Sequence, residues 1–463
     1  MKKFLSIFLI ICLCLPFLTS CSNKPKNATE LWEKINETME GLKSYEASGT
    51  GTLSFKQGLA TNVSVELKMK NIISRGNKNN FYYYSDSEIT EKSDFLITPE
   101  NTLKNTEAFY NGNMFISKEI NGESQQKLYS SLSSKEYIAY LEKRNELYGD
   151  IDFTNCSESS FAQNEDNTWS LNYSGYSNKV LNRFMNSFGI DQESFSFDIW
   201  DMKVSIQADN QFKIQEMTVS FVFSEDDTAQ QPFFEIKTQY SNYNEAQPIT
   251  DSLNPDSYKK IEDCRLLFDF ENMLKKLEDA ENGSFVAQTE ETVSIIKKTL
   301  SCSATDTVSY GKKDGKYFYD IVSESSAYDK MNISYENGIQ TIKMSGEEIT
   351  QKQSKSQAKS DIRLMINAFN YSAGCVSDIK KLDEGVYEIQ CNLDPDFYYQ
   401  TAVNEKYHLY NPEFYKETLK ITVKDGNIVK METDMLAKGN TSIPSYSSTP
   451  IEIHLIATIT FNS

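Results

Sequence analysis

Hydrophobic and polar residues alternate along much of the chain. The stretch "YEASGTGTLSF" (45–55) places its apolar and small residues at every second position, and "NVSVELKMKNI" (62–72) repeats the alternation. A period of two predicts β-strands with one covered face, which is typical of antiparallel sheets. Apolar residues at helical spacing interrupt this pattern. Leu31, Ile35 and Met39 predict a helix that begins after the capping sequence Asn27-Ala28-Thr29-Glu30.

The same order of patterns occurs twice. "FYNGNMFISKEINGE" resembles "SYENGIQTIKMSGEE", and "VSIQADNQFKIQEMTVSF" resembles "ITVKDGNIVKMETDM". Asp209-Asn210 then corresponds to Asp425-Gly426, and both pairs predict two-residue hairpin turns because Asn and Gly accept a positive φ. The helical pattern at the start also returns in "DFENMLKKLEDAENGSF" (269–285). Several landmarks in one order indicate a duplicated chain.

The repeat sets the predicted domains. Residues 27–246 form the first repeat, residues 263–463 form the second, and 247–262, which contain two prolines and few strand formers, form the linker. Helices are the natural cover for the apolar faces. We therefore predict an α+β fold of two tandem repeats, each a strongly curved antiparallel sheet, a half-barrel, packed on an N-terminal helix and short inserted helices.

The first residues predict export. A basic pair, Lys2-Lys3, precedes the uncharged run 4–17, which is too short to span a membrane as a helix. The following Leu18-Thr19-Ser20-Cys21 resembles the lipobox of bacterial lipoproteins. That resemblance implies cleavage of a signal peptide at residues 1–20, diacylation of Cys21, and a tether at 21–26. The protein would then be anchored on the extracytoplasmic face of the cell membrane. The alternative is an ordinary secretory signal.

The order of elements in each repeat resembles the half-barrel of the LolA/LolB carriers and of the mycobacterial LppX/LprG lipoproteins. This resemblance concerns element order and has no diagnostic motif. It implies an apolar cavity for acyl chains between sheet and helices. The ligand-binding residues stay unassigned.

Charge and cysteine content limit the partners. The net charge is −19 and becomes −21 when the leader with its two lysines is removed, which disfavours nucleic acid and anionic lipid surfaces as partners. Five cysteines follow Cys21, without the spacing of a zinc site. Cys375 and Cys391 flank a turn-like Asp383-Glu384-Gly385, so they could form a disulfide or be two buried thiols.

No catalytic constellation stands out, and we expect neither metal nor cofactor. The chain has two histidines, His408 and His454, too few for a multi-histidine centre. Gly49-Thr50-Gly51 lacks the rest of a phosphate loop and predicts a bend in the strand or a close contact with a helix. Residues 224–227, "SEDD", lack the oxygen spacing of a calcium loop and predict a solvated hairpin tip.

The aromatic stretches "FYYY" (81–84) and "YFYD" (317–320) occupy matching places and could line a cavity or fill a core. The first hypothesis is a non-enzymatic, lipid-anchored protein that binds an apolar or amphipathic ligand such as a lipid. The alternative is an envelope scaffold or sensor that binds proteins and has no ligand cavity. An unrecognised hydrolase is the third, and it needs a cleft with converging carboxylates.

Overall fold

The structure is a computed structural model. It describes residues 24–57, 61–75, 81–93, 101–143, 158–175, 199–223, 233–278, 280–296, 298–327, 329–366, 376–391, 409–441 and 449–462. Cys21, residues 1–20 and most of the predicted tether lie outside this part of the chain, so the lipoprotein assignment stays a prediction.

The described residues contain four α-helices. They are α1 (Ala28–Gly41), α2 (Ser134–Lys143), α3 (Arg265–Glu278) and α4 (Lys355–Ile366). A short 3₁₀ helix spans Pro255–Ser257.

Twenty-three strands make up most of the rest of the described chain. In the first half these are β1 (Ser44–Gln57), β2 (Thr61–Arg75), β3 (Phe81–Ser93), β4 (Asn101–Tyr110), β5 (Asn113–Ile120), β6 (Glu123–Ser131), β7 (Glu158–Gln163), β8 (Trp169–Ser174), β9 (Ile199–Ala208), β10 (Ile214–Phe223) and β11 (Phe233–Ser241). The second half has β12 (Lys259–Lys260), β13 (Gly283–Ile295), β14 (Lys298–Lys313), β15 (Lys316–Ser325), β16 (Met331–Glu336), β17 (Ile339–Met344), β18 (Glu347–Lys352), β19 (Val376–Asp383), β20 (Val386–Cys391), β21 (Leu409–Lys424), β22 (Asn427–Thr441) and β23 (Thr449–Asn462).

The chain divides into two compact units. The first comprises Met1–Gly112 and Ser133–Leu253, and the second comprises Asn113–Leu132 and Asn254–Ser463. The division at 253/254 falls inside the predicted linker. The β5–β6 hairpin, which the sequence assigns to the first repeat, groups with the second unit.

Each unit is built on a long antiparallel sheet. In the first unit the strands lie in the order β4-β3-β2-β1-β11-β10-β9-β8-β7, so the first and last strands of the half pair with each other. In the second unit the order is β18-β17-β16-β15-β14-β13-β23-β22-β21-β20-β19. The second unit also holds the β5–β6 hairpin, whose strand β6 pairs in parallel with β12.

Both halves follow one pattern of elements and pairings. Each has a helix, six strands, a second helix and five strands, and β1–β11 pairing is matched by β13–β23 pairing. Strand β7 thus corresponds to β19, β6 to β18 and α1 to α3. This correspondence is consistent with a duplicated chain.

The predicted α+β class was wrong. The protein is mostly β, with two large sheets and few helices, and it is not a pair of half-barrels packed on helices. The helical patterns in the sequence were real but short, since the four helices have 10 to 14 residues, whereas single strands reach 16. Alternation across most of the chain was therefore the stronger signal of fold class.

Local signals of helix starts agree with the structure. The Asn27 side chain accepts a hydrogen bond from the Glu30 amide at 2.8 Å, as a capping residue does. Ser133 and Glu136 form a reciprocal capping box at the start of α2. The predicted apolar face of α1 is buried, and α1 packs against β7 and β8.

The two predicted turns at Asp425-Gly426 and Asp209-Asn210 had different outcomes. Asp425-Gly426 joins β21 and β22 with positive φ at both residues, as expected of a two-residue turn. The predicted two-residue turn at Asp209-Asn210 was wrong, because residues 209–213 connect β9 to β10 and Phe212 has the positive φ of 64°.

Candidate functional site

Several residues singled out in the sequence lie outside the described part of the chain. These are Cys21, Cys375, His408 and residues 224–227. Cys391 is buried at the end of β20 and lies opposite Val376, the residue that follows Cys375. The disulfide between Cys375 and Cys391 therefore stays a prediction.

His454 lies on the solvent-facing side of β23. Its Nε2 is 2.8 Å from Asp434 Oδ1, and both side chains are about half exposed or more. They border an open depression of about 350 Å³ together with Thr418, Leu436 and Glu452. The Glu452 carboxylate pairs with Lys438 at 2.6 Å, so it does not converge on the histidine. The described residues contain no group of three or more metal-ligating side chains.

Gly49 and Gly51 are close-packing positions in β1. A Cβ on Gly49 would lie 2.9 Å from the Met69 side chain, and one on Gly51 would lie 3.1 Å from the Glu235 carbonyl oxygen. These neighbours lie on the adjacent strands β2 and β11, so the close contact is between strands and not with a helix, and Gly49-Thr50-Gly51 continues within β1.

The aromatic stretch at 81–84 is buried among protein side chains. Phe81 and Tyr83 lie near the ring of Tyr137 from α2, which stacks on Phe109 at 4.5 Å between ring centroids. The Tyr137 hydroxyl donates a hydrogen bond to Glu107 Oε1 at 2.7 Å. These contacts are those of a packed core between sheet and helix.

Tyr82 is buried by the segment that ends the first unit. Its hydroxyl donates to the Ile249 carbonyl at 2.9 Å and accepts from the Ile249 amide at 2.8 Å. Burial raises the pKa of Tyr82 to about 12. This tyrosine therefore fastens the connecting segment to the sheet.

The matching stretch at 317–320 builds a polar network inside the second unit. The Tyr319 hydroxyl donates to Asp361 Oδ2 at 3.0 Å, and the Gln353 side-chain amide donates to the same oxygen at 2.6 Å. Gln340 Nε2 donates to the Tyr319 hydroxyl at 2.6 Å. Tyr319 is almost fully buried, and this burial raises its pKa to about 12.

Tyrosines surround this network. Tyr310, Tyr317 and Tyr335 belong to the same buried cluster, and the ring of Tyr335 stacks on Tyr319 at 5.6 Å. Burial also raises the pKa of Tyr310 and of Tyr317. The layer between sheet and α4 is thus apolar in its rings and polar at its hydroxyl groups.

The β17–β18 hairpin carries exposed apolar residues at the end of a sheet. Ile333, Ile342 and Ile349 lie side by side across β16, β17 and β18, and we call them the apolar row. They share a face with Tyr335, because residues two apart in a strand point to the same side. Ile349 nevertheless has 59% of its surface exposed. The adjacent Met344, on the same face, is also exposed.

Strand β18 is also an edge. It ends the sheet of the second unit, and all six of its residues are exposed. No strand pairs with its outer side within the described residues. Ile349 is the one apolar residue of β18, and the unpaired backbone N–H and C=O groups of an edge strand can pair with another chain. The isolated Ile349 in "EEITQK" is a weak signal of this edge in the sequence.

Comparisons with known proteins give weak matches. No family model and no curated protein matches the chain. Among solved structures it resembles a DUF1329 family protein from Desulfovibrio piger, with 10% identity, 43% of this chain and 91% of that chain covered, and a TM-score of 0.20. It also resembles a LolA superfamily protein from Nitrosomonas europaea, with 11% identity, coverage of 50% and 99%, and a TM-score of 0.16. At these TM-scores the likeness carries no argument about function.

Within the described residues, no helix has the length and apolar character needed to cross a membrane.

Proposed function

We propose that this chain is a lipid-anchored, non-enzymatic scaffold protein on the extracytoplasmic face of the bacterial cell membrane, and that its β17–β18 hairpin binds another protein. The observation that carries the proposal is the apolar row at the β18 edge, whose outermost residue, Ile349, is 59% exposed. A partner chain that binds such an edge can form backbone hydrogen bonds with the edge strand and side-chain contacts with the apolar face.

The nature of the partner is supported by a matched site in the same chain. In the second unit, the corresponding hairpin β5–β6 is covered by protein segments, with β12 paired to the β6 edge. Because protein segments cover the β5–β6 hairpin, we infer that the matching β17–β18 hairpin also binds a protein. The anchor is supported by the Leu18–Cys21 sequence alone.

A second candidate is a carrier of an apolar or amphipathic ligand such as a lipid. It is favoured by the tyrosine and Asp361 network, because tyrosine rings suit acyl chains while hydroxyl groups and a carboxylate suit a polar head group. Mass spectrometry of the purified full chain under native conditions tests this candidate. A co-purifying lipid-sized molecule that is lost in an Asp361→Leu variant supports the carrier.

Photo-crosslinking in bacterial cells tests the scaffold. A photoreactive amino acid replaces Thr350 on β18 in the full lipidated chain, and a matched variant carries it at Glu290, an exposed position of the inner strand β13. We expect protein adducts at position 350 and none at 290. Adducts with lipid alone, or equal labelling at the two positions, would refute the scaffold function.

A further inference from the structure

The β5–β6 and β17–β18 hairpins occupy matching places in the two halves. Each is followed at once by a helix with a capping serine, Ser133 for α2 and Ser354 for α4. Counting back from these serines places Leu128 on Ile349. Their cross-strand partners correspond as well, because Leu128 pairs with Ile116 and Ile349 pairs with Ile342.

The matched residues differ sharply in burial. Leu128 is 2% exposed, whereas Ile349 is 59% exposed. Both are aliphatic residues on the same face of matched strands. The difference therefore comes from what covers the hairpin.

In the second unit, the segment before α3 wraps around the β5–β6 hairpin. The Tyr258 ring lies 5.1 Å from Phe115, and the Ile261 amide donates a hydrogen bond to the Tyr129 carbonyl at 2.9 Å. At the end of this segment, the Cys264 amide donates to Ser130 Oγ at 2.9 Å. We call residues 258–264 the second pre-helix segment.

Strand β19 completes the cover in the same unit. Gln126 of β6 donates a side-chain hydrogen bond to the Val376 carbonyl at the start of β19. The pre-helix segment and β19 are also bonded to each other, since the Lys381 amide donates to Glu262 Oε2 at 3.0 Å. The β5–β6 hairpin thus packs on one composite surface, which consists of the second pre-helix segment and the edge strand β19.

The first unit carries part of the counterpart of this composite surface, because residues 24–27 before α1 match residues 261–264 before α3. The first pre-helix segment, residues 24–27, precedes α1, and Lys24 Nζ donates to Gln163 Oε1 of β7 at 3.0 Å. Strand β7 corresponds to β19, lies at the end of its sheet, and is largely exposed. No strand pairs with its outer side in the part of the chain that the structure describes.

We propose that the β17–β18 hairpin of one chain docks on β7 and the first pre-helix segment of a second copy of this chain. This inference rests on the proposed scaffold function and names its partner. The contact corresponds to the one that β6 makes with residues 261–264 of the second pre-helix segment and with β19. It joins two different surfaces, so the copies associate head to tail, and each dimer keeps one surface of each kind.

Disulfide cross-linking between two tagged full-length chains tests the arrangement. One chain carries Ser160→Cys on β7 and the other carries Thr350→Cys on β18, and both positions are exposed. We expect a cross-linked dimer only in the mixture. Lys203→Cys, on the exposed side of the inner strand β9, replaces Ser160→Cys as the matched control and is expected to give none.

Two isoleucine variants test the role of the apolar row. Ile349→Glu places a charge in the docking face, whereas Ile339→Glu places the same charge on the opposite face of the same hairpin, at a residue that is also exposed. We expect Ile349→Glu to weaken self-association in sedimentation by about tenfold or more, which corresponds to about 1.4 kcal/mol. Ile339→Glu is expected to leave it unchanged.

The failures of the two proposals are distinguishable. Head-to-tail pairing is overturned if the chain stays monomeric and gives no mixed disulfide. It is also overturned if chains that carry Thr350→Cys alone cross-link with each other. If photo-crosslinking at position 350 then still yields an adduct with a different protein, the scaffold function stands without self-association. If no protein adduct forms, both proposals fail.

Discussion

The matched residues Leu128 and Ile349 allow one sharp prediction about stability. Both are changed to alanine, one at a time, in the full chain at low concentration. Leu128 is covered by the second pre-helix segment and its neighbours, whereas Ile349 is 59% exposed. The two substitutions should therefore have very different costs, although they remove the same number of carbon atoms from matched strands.

The magnitudes follow from burial. Truncation of a buried leucine to alanine costs about 2–5 kcal/mol, because it loses transfer free energy and leaves a cavity. Leu128 lies near the edge of its sheet, where neighbours can relax, so we expect about 2–3 kcal/mol. Substitution at an exposed position changes the free energy of unfolding by about 0.5 kcal/mol or less. We expect that smaller value for Ile349→Ala.

Urea unfolding followed by far-ultraviolet circular dichroism measures both costs. The chain has two compact units, so the transition of the second unit is fitted separately from that of the first. Equal losses for the two variants would refute the reasoning, because they would mean that the β17–β18 hairpin is as well covered as the β5–β6 hairpin.

Three further predictions concern other parts of the chain. Asp361→Ala removes the acceptor of the Gln353 amide and leaves the Tyr319 hydroxyl only its longer bond to Gln353 Oε1 at 3.3 Å. The free energy of unfolding should therefore fall by about 1–3 kcal/mol in urea titrations, against about 0.5 kcal/mol or less for the exposed Asp320→Ala. The pKa of Tyr82 and of Tyr319 is raised to about 12. The unfolded chain releases these protons near pH 10, so stability should be complete below pH 10 and fall between pH 10 and 12, with a shallower fall in phenylalanine variants. Cys21→Ser should move the protein from the membrane fraction to the supernatant, and persistent membrane association would contradict the predicted anchor.

Local chemistry in the sequence predicted local structure well. Asn27 and Asp425-Gly426 act through hydrogen bonds and backbone angles within a few residues, so their effect can be recognised without knowledge of the fold. The buried face of α1 follows from spacing alone in the same way. These features depend little on distant parts of the chain.

Fold class and candidate site depended on long-range contacts, and here the sequence was insufficient. The helical patterns predict a covering layer of helices, but long strands make up most of the fold. The Asp361 network joins Tyr319, Gln340 and Gln353 over many residues, and no spacing in the sequence indicates it. The difference in burial between Leu128 and Ile349 likewise depends on which distant segments pack over each hairpin. The alternation of apolar and polar residues does not indicate these segments.

Hydrogen exchange of the β18 amides tests the central claim most directly. The full chain is compared in dilute and concentrated solution, with β6, residues 123–131, as the internal reference. At low concentration residues 347–352 should exchange fast and β6 slowly, and at high concentration β18 should become protected while β6 does not change. Protection of β18 that equals that of β6 in dilute protein, or no gain of protection on concentration, would contradict the account.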